Sequence, residues 1–98
     1  MNEANRDQVE LWNRLGKRWV TYRESLDRVW KPLGDTTIEH AAIMPGERVI
    51  DVGCGCGATA LELAARVGPS GFVVGIDVSQ PMLKRARERA RAAGVANI

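Results

Sequence analysis

Ninety-eight residues, 45% apolar and 27% charged, describe one small globular domain and argue against disorder. No apolar run is long enough to cross a bilayer, and the polar, mixed-charge start from Met1 to Asp7 is unlike a secretory signal. A cytoplasmic location and no membrane partner are the resulting expectations; the net charge of +2 is small but unevenly spread.

Residues 4–44 read as helical and hold all three tryptophans. Val9, Trp12, Leu15 and Trp19 recur at helical spacing, and Tyr22, Leu26, Val29, Trp30 and Leu33 repeat the pattern. Gly34 is expected to break this run. Thr36 and Glu39 have capping-box spacing, which predicts a new short helix through Ile38, Ala41 and Ala42, ended by Met44-Pro45-Gly46. Aromatic residues at helical spacing more often fill cores than cover ligands, so Trp12, Trp19, Tyr22 and Trp30 are read first as core and second as a lid.

From Glu47 the pattern changes to strand, turn, helix, strand, helix. Arg48 to Val52 is a short β-branched run entering a glycine cluster, and Thr59 to Val67 is helical with Leu61, Ala64 and Ala65 on one face. Gly68-Pro69-Ser70-Gly71 is a turn by composition. Phe72 to Asp77 reads as a second strand. Ser79 and Pro81 mark the start of a last helix, striped by Leu83, Ala86, Ala90 and Ala93 and stopped by Gly94. Short apolar strands alternating with helices predict a parallel α/β sheet. Val95 to Ile98 reads as the approach to a third strand.

The last helix carries Lys84, Arg85, Arg87, Arg89 and Arg91 against Glu88. No aromatic residue interleaves with them to stack on bases, so a solvated face is favoured over nucleic acid as a partner. Cys54 and Cys56, one residue apart, suit neither a disulfide nor the usual zinc spacing, and His40 is the only histidine. No metal site is expected, both cysteines are read as small residues, and His40 as a surface or capping residue rather than a base.

Chemistry concentrates in Asp51-Val52-Gly53-Cys54-Gly55-Cys56-Gly57, between a strand and a helix. Glycines let the backbone turn sharply and come close to a ligand, and the helix N-terminus behind them favours an anionic group. Asp77 follows Gly57 by twenty residues at the end of the second strand, where a carboxylate accepts the two hydroxyls of an adenosine ribose. Gly53-x-Gly55-x-x-Ala58 also satisfies the relaxed dinucleotide pattern. Asp51 counts against that reading, since its charge suits an ammonium and repels a pyrophosphate; so does the Gly-x-Gly-x-Gly spacing. A P-loop is excluded, because no Gly-Lys-Ser/Thr follows.

Residues 47–98 resemble class I S-adenosylmethionine-dependent methyltransferases. Asp51-x-Gly53-x-Gly55-x-Gly57 matches that family's first motif, and Gly75-Ile76-Asp77-Val78-Ser79-x-x-Met82-Leu83 its second. Leu11-Trp12-Asn13, Arg18-Trp19-Val20 and Leu26-Asp27 are similar, less specifically, to bacterial members acting on small molecules. The resemblance implies the N-terminal half of a Rossmann-like, doubly wound parallel sheet over residues 47–98, stopping before its third strand. Residues 1–46 would be an N-terminal helical segment and candidate lid. By resemblance, Asp51 holds the methionine amino group, directly or through water. The Gly53, Cys54, Gly55 and Gly57 backbone packs on the methionine and ribose, Asp77 binds the ribose hydroxyls, and Val78 and Met82 lie against adenine. A core role for Met82 stays open beside the last.

The implied cofactor is S-adenosyl-L-methionine and the implied function is methyl transfer to a small molecule, with no catalytic residue named. The family's later strands, with the acidic residue that contacts the adenine amino group and the substrate loops, are missing from this stretch. The polypeptide alone is therefore expected not to catalyse transfer. Two alternatives stand: an NAD(P)-binding domain of an oxidoreductase, and a non-catalytic interaction fragment that self-associates through an open sheet edge.

Overall fold

A computed structural model describes residues 2–98; Met1, the first residue of the expected helical segment, lies outside them. Two helices come first. α1 (Glu3–Thr21) begins where the Asn2 side chain accepts the Asn5 N–H, 2.9 Å away, and has Glu3 in its positive first turn. Tyr22 alone interrupts the helical backbone before α2 (Arg23–Ala41).

α2 does not break at Gly34, nor does a new helix start at Thr36. The Thr36 hydroxyl, expected to cap, instead donates back along the helix to the Pro32 carbonyl at 2.9 Å, as the neighbouring Thr37 hydroxyl does to the Leu33 carbonyl at 2.8 Å. Pro32 lies inside the helix, whose continuity is held from outside: Ile38, 2% exposed, is seated in the core, and Lys31 Nζ reaches Glu62 on the next helix. Tertiary anchorage here outweighs local propensity. The helix closes early, at Ala42, in a left-handed conformation (φ +51°).

The rest is a βαβα unit: β1 (Arg48–Val52), α3 (Ala58–Val67), β2 (Phe72–Ile76) and α4 (Gln80–Ala92). β1 and β2 pair in parallel, Arg48 opposite Phe72 through Val52 opposite Ile76, with α3 as the crossover. Ala60, Leu63, Ala64 and Val67 of α3 pack with Val73 and Ile38 into the core. At β2's other edge the Val73 N–H donates to the Asn97 carbonyl at 2.9 Å, while the Asn97 amide donates to the carbonyls of Ala64 and Gly68 at the end of α3. The expected approach to a third strand is thus a hydrogen-bonded return along β2, without strand structure of its own among the described residues.

The two faces of the sheet differ. Val73 faces α3 and is fully buried, whereas Ile50, Val52, Phe72, Val74 and Ile76 are exposed. Strands apolar on both faces belong to sheets covered on both sides; among the described residues only one side is.

Candidate cofactor site

β1 and β2 end side by side, and the loop between β1 and α3 folds over the end of β2. The Gly53 and Cys54 N–H groups both donate to the Ile76 carbonyl, at 2.7 and 3.0 Å, stitching the loop to that strand tip. Asp77 follows directly. Its Oδ2 accepts the Gly55 N–H and its Oδ1 the Ser79 N–H, both at 2.8 Å, so one carboxylate spans the loop and the start of α4. Ser79 is completely buried, and its hydroxyl accepts the Met82 N–H as the cap of α4.

The loop's shape requires glycine. Gly57 has φ +88°, and a side chain there would press on Ala86 of α4 at 3.1 Å. Gly53 has φ +72°, yet a Cβ there would meet no protein atom within 4 Å. Its unfilled side faces a cavity of about 1010 Å3, also lined by Cys54, Gly55, Asp77, Val78 and Met82. Six of the eight expected site residues therefore meet at one hollow. Asp51 and Gly57 are outside its lining; Gly57 instead borders a smaller hollow between α3 and α4. Met82 has a foot in both readings left open for it, being 5% exposed while lining the cavity.

Asp51 Oδ2 is buried without a hydrogen-bond partner. Burial first, and the charge of Asp77 second, push this carboxyl above its ordinary value. The Cys54 thiol is pushed up to about 11, by burial and then by Asp51 and Asp77, and burial also raises Cys56. Both cysteines are free and remain neutral thiols near pH 7, as expected of small packing residues.

The tryptophans are not core. Trp12 and Trp19 are half-buried, in edge-to-face contact with ring centroids 6.1 Å apart, while Trp30 and Tyr22 are 52% and 63% exposed. All three tryptophans line the cavity, and Tyr22 does not. The cause lies in how α1 docks. Gly16 is the buried residue of α1, packed where a Cβ would strike Ser79 Oγ, and Asn13 Oδ1 accepts the Gln80 N–H at 2.9 Å. The helix rests on α4 through these small and polar groups, which leaves its aromatic side toward the hollow. His40 is exposed, its Nδ1 2.9 Å from the Thr36 carbonyl, and lies off the site.

Asn13 stands in the sequence only as part of the N-terminal resemblance, without a role, and Gly16 as an isolated glycine inside an apolar helical stripe, a signal of close packing that was missed.

A parallel βαβα unit with a glycine loop and acidic residues at neighbouring strand tips defines an α/β domain of the nucleoside-binding class. A methyltransferase-domain family profile matches residues 43–98. Aklanonic acid methyltransferase DauC of Streptomyces sp. strain C5 is 40% identical over 98 residues, which cover 100% of this chain and 40% of that protein. 2-Phytyl-1,4-naphtoquinone methyltransferase of Trichormus variabilis is 37% identical over 86 residues, 88% of this chain and 32% of that protein. Among solved structures, a SAM dependent methyltransferase from Aquifex aeolicus matches with TM-score 0.60 at 31% identity, over 65% of this chain and 34% of its own. A protein-L-isoaspartate O-methyltransferase matches with TM-score 0.63 at 28% identity, over 66% and 20%. The chain belongs to the S-adenosylmethionine-dependent methyltransferase family, with its Rossmann-like α/β fold. It spans 40% and 32% of the two curated relatives. The oxidoreductase alternative gains no support from these relatives.

The residues present fit the family's cofactor. Asp51 offers a buried oxygen that lacks a donor, Gly53 leaves room at the cavity wall, and each Asp77 oxygen carries one N–H bond while a carboxylate oxygen has capacity for two.

Proposed function

We propose that this chain supplies the S-adenosylmethionine-binding part of a methyltransferase acting on a small, ring-bearing molecule, with the cofactor held between the strand tips and the glycine loop. The carrying observation is the Asp77 carboxylate, fixed by two backbone N–H groups beside the open Gly53 wall of the cavity, with the unpaired, buried Asp51 oxygen on the neighbouring strand behind that wall. Asp77 would accept the ribose hydroxyls, and Asp51 the ammonium, directly or through one water. Val78 and the buried thioether of Met82 would flank the adenine. When bound, the cofactor supplies the methyl group, and the protein's part is to place it and exclude water.

The acceptor class rests on the relatives and the aromatic wall. The matched proteins are named for aklanonic acid and a phytyl naphthoquinone. A hollow near the upper end of ordinary ligand pockets, walled by Trp12, Trp19 and Trp30, has room and flat apolar surface for a ring system beside the cofactor. In this reading α1 and α2 form a lid. Calorimetric titration with S-adenosylhomocysteine and with NAD tests the cofactor. S-Adenosylhomocysteine is expected to bind and NAD not; preference for NAD would reverse the assignment.

A further inference from the structure

The glycine loop is held from two sides, and the second clamp belongs to no part of the cofactor contact described above. Arg89, on the third turn of α4, donates from Nη1 to the Cys56 carbonyl at 2.9 Å, while its Nη2 lies 3.2 Å from Asp27 Oδ2 on α2. Both side chains are largely shielded, at 23% and 31% exposure, and both border the cavity. The peptide gripped by Arg89 is the one joining Cys56 to Gly57, and its N–H donates to the Cys54 carbonyl at 3.0 Å. Peptide planes beside positive-φ glycines, here Gly55 at +55° and Gly57 at +88°, reorient at small cost. A loop of this kind presents one shape to a ligand only if its polar groups are fixed by others. Asp77 fixes the Gly55 N–H and Arg89 fixes the Cys56 carbonyl.

We propose that Arg89 is a positioning residue that pre-organises the glycine loop for the cofactor, and that Asp27 couples the loop to helix α2. The inference rests on the reading that this loop holds S-adenosylmethionine. The residue type matters: a planar guanidinium carries donors in a fixed fork that serve a carbonyl and a carboxylate together, which a lysine ammonium on a flexible stem does not. A less exposed pair of this kind is also screened less by salt than a surface pair.

The test measures S-adenosylhomocysteine affinity of the protein and of Arg89→Met, Arg89→Lys and Asp27→Asn, each well below its own melting temperature. Arg89→Met is expected to weaken binding about tenfold and Asp27→Asn less, and the double variant should fall short of the product of the two. Arg89→Lys should recover only part of the loss, and Arg87→Met, exposed on the same helix, should bind as wild type does. A purely structural role would lower melting temperature and leave affinity unmoved. Wild-type affinity in folded Arg89→Met overturns the inference; should that variant not fold, wild-type affinity in Asp27→Asn does so. Failure of the wild-type protein itself to bind S-adenosylhomocysteine overturns the cofactor reading, and the inference with it.

Discussion

The helical pair α1–α2 and the βαβα unit obey different rules. In the βαβα unit the elements follow strand and helix periodicity, although α3 turns Ala60, Leu63, Ala64 and Val67 inward and leaves Ala65, expected on the same face as Leu61 and Ala64, exposed. In the helical pair the large apolar residues other than the buried Ile38 stay half-exposed or exposed, and attachment runs through Gly16, Asn13, Ile38 and the Asp27–Arg89 pair. One region is a scaffold specified by its own sequence. The other is an appendage whose place depends on a few contacts with the scaffold, leaving its aromatic side free for a ligand.

The largest expected effect strikes the scaffold. Asp77→Ala removes the acceptor of two backbone N–H groups and the proposed ribose contact together. Hydrogen bonds to charged groups contribute about 1.5–3 kcal/mol each, so a loss near 3 kcal/mol is expected in chemical unfolding. Calorimetry should show affinity for S-adenosylhomocysteine lowered about 100-fold. Retained affinity would mean that the strand tips are not where the nucleoside sits.

The next effect separates the two regions. Gly16→Val forces a branched side chain into the Ser79 and Met82 contact, where overpacking costs about 1–3 kcal/mol. Because α1 is held by few groups, it should lift away while β1, α3 and β2 stay folded. Tryptophan emission would shift to the red as Trp12 and Trp19 become wet, with far-ultraviolet dichroism little changed. Loss of the cooperative βαβα transition instead would show that the helices are part of one core.

This division also explains what the sequence made legible. Strand β1, the glycine turn and the Ser79 start of α4 depend on backbone conformation that residue type reports directly, and Asp77 on the fixed strand–turn–helix–strand spacing that brings it to Gly55 from 22 residues away. The helical pair is set by long-range contacts that leave little local trace. Gly34 and Thr36 look like a break and a restart, but Ile38 in the core and Lys31 beside Glu62 hold α2 together. The tryptophans have the spacing of a core stripe, and nothing in that spacing says which side of α1 will face a hollow. The role of Arg89 is invisible for the same reason: its partners Asp27 and Cys56 are distant in sequence, and it stands among four other basic residues on one helix.

The smallest effect falls at Asp51, and there the sign matters more than the size. Burial and the Asp77 charge raise its carboxyl in the folded protein above the ordinary value, so the folded state holds this proton more tightly than the unfolded chain does. Its cost to stability is therefore absent below the ordinary carboxylate value, grows as pH rises toward the raised value, and is complete above it. Asp51→Asn should then make the ligand-free protein slightly more stable at neutral pH and flatten that part of its stability profile. The same substitution removes the charge proposed to face an ammonium, so S-adenosylhomocysteine affinity should fall about tenfold. In the wild-type protein affinity should decline as pH drops through the raised value and the carboxyl takes up its proton. A gain in stability joined to a loss of binding would mark Asp51 as a residue held at the scaffold's expense for its ligand. A loss of both would make it a structural carboxylate and leave Asp77 to carry recognition alone.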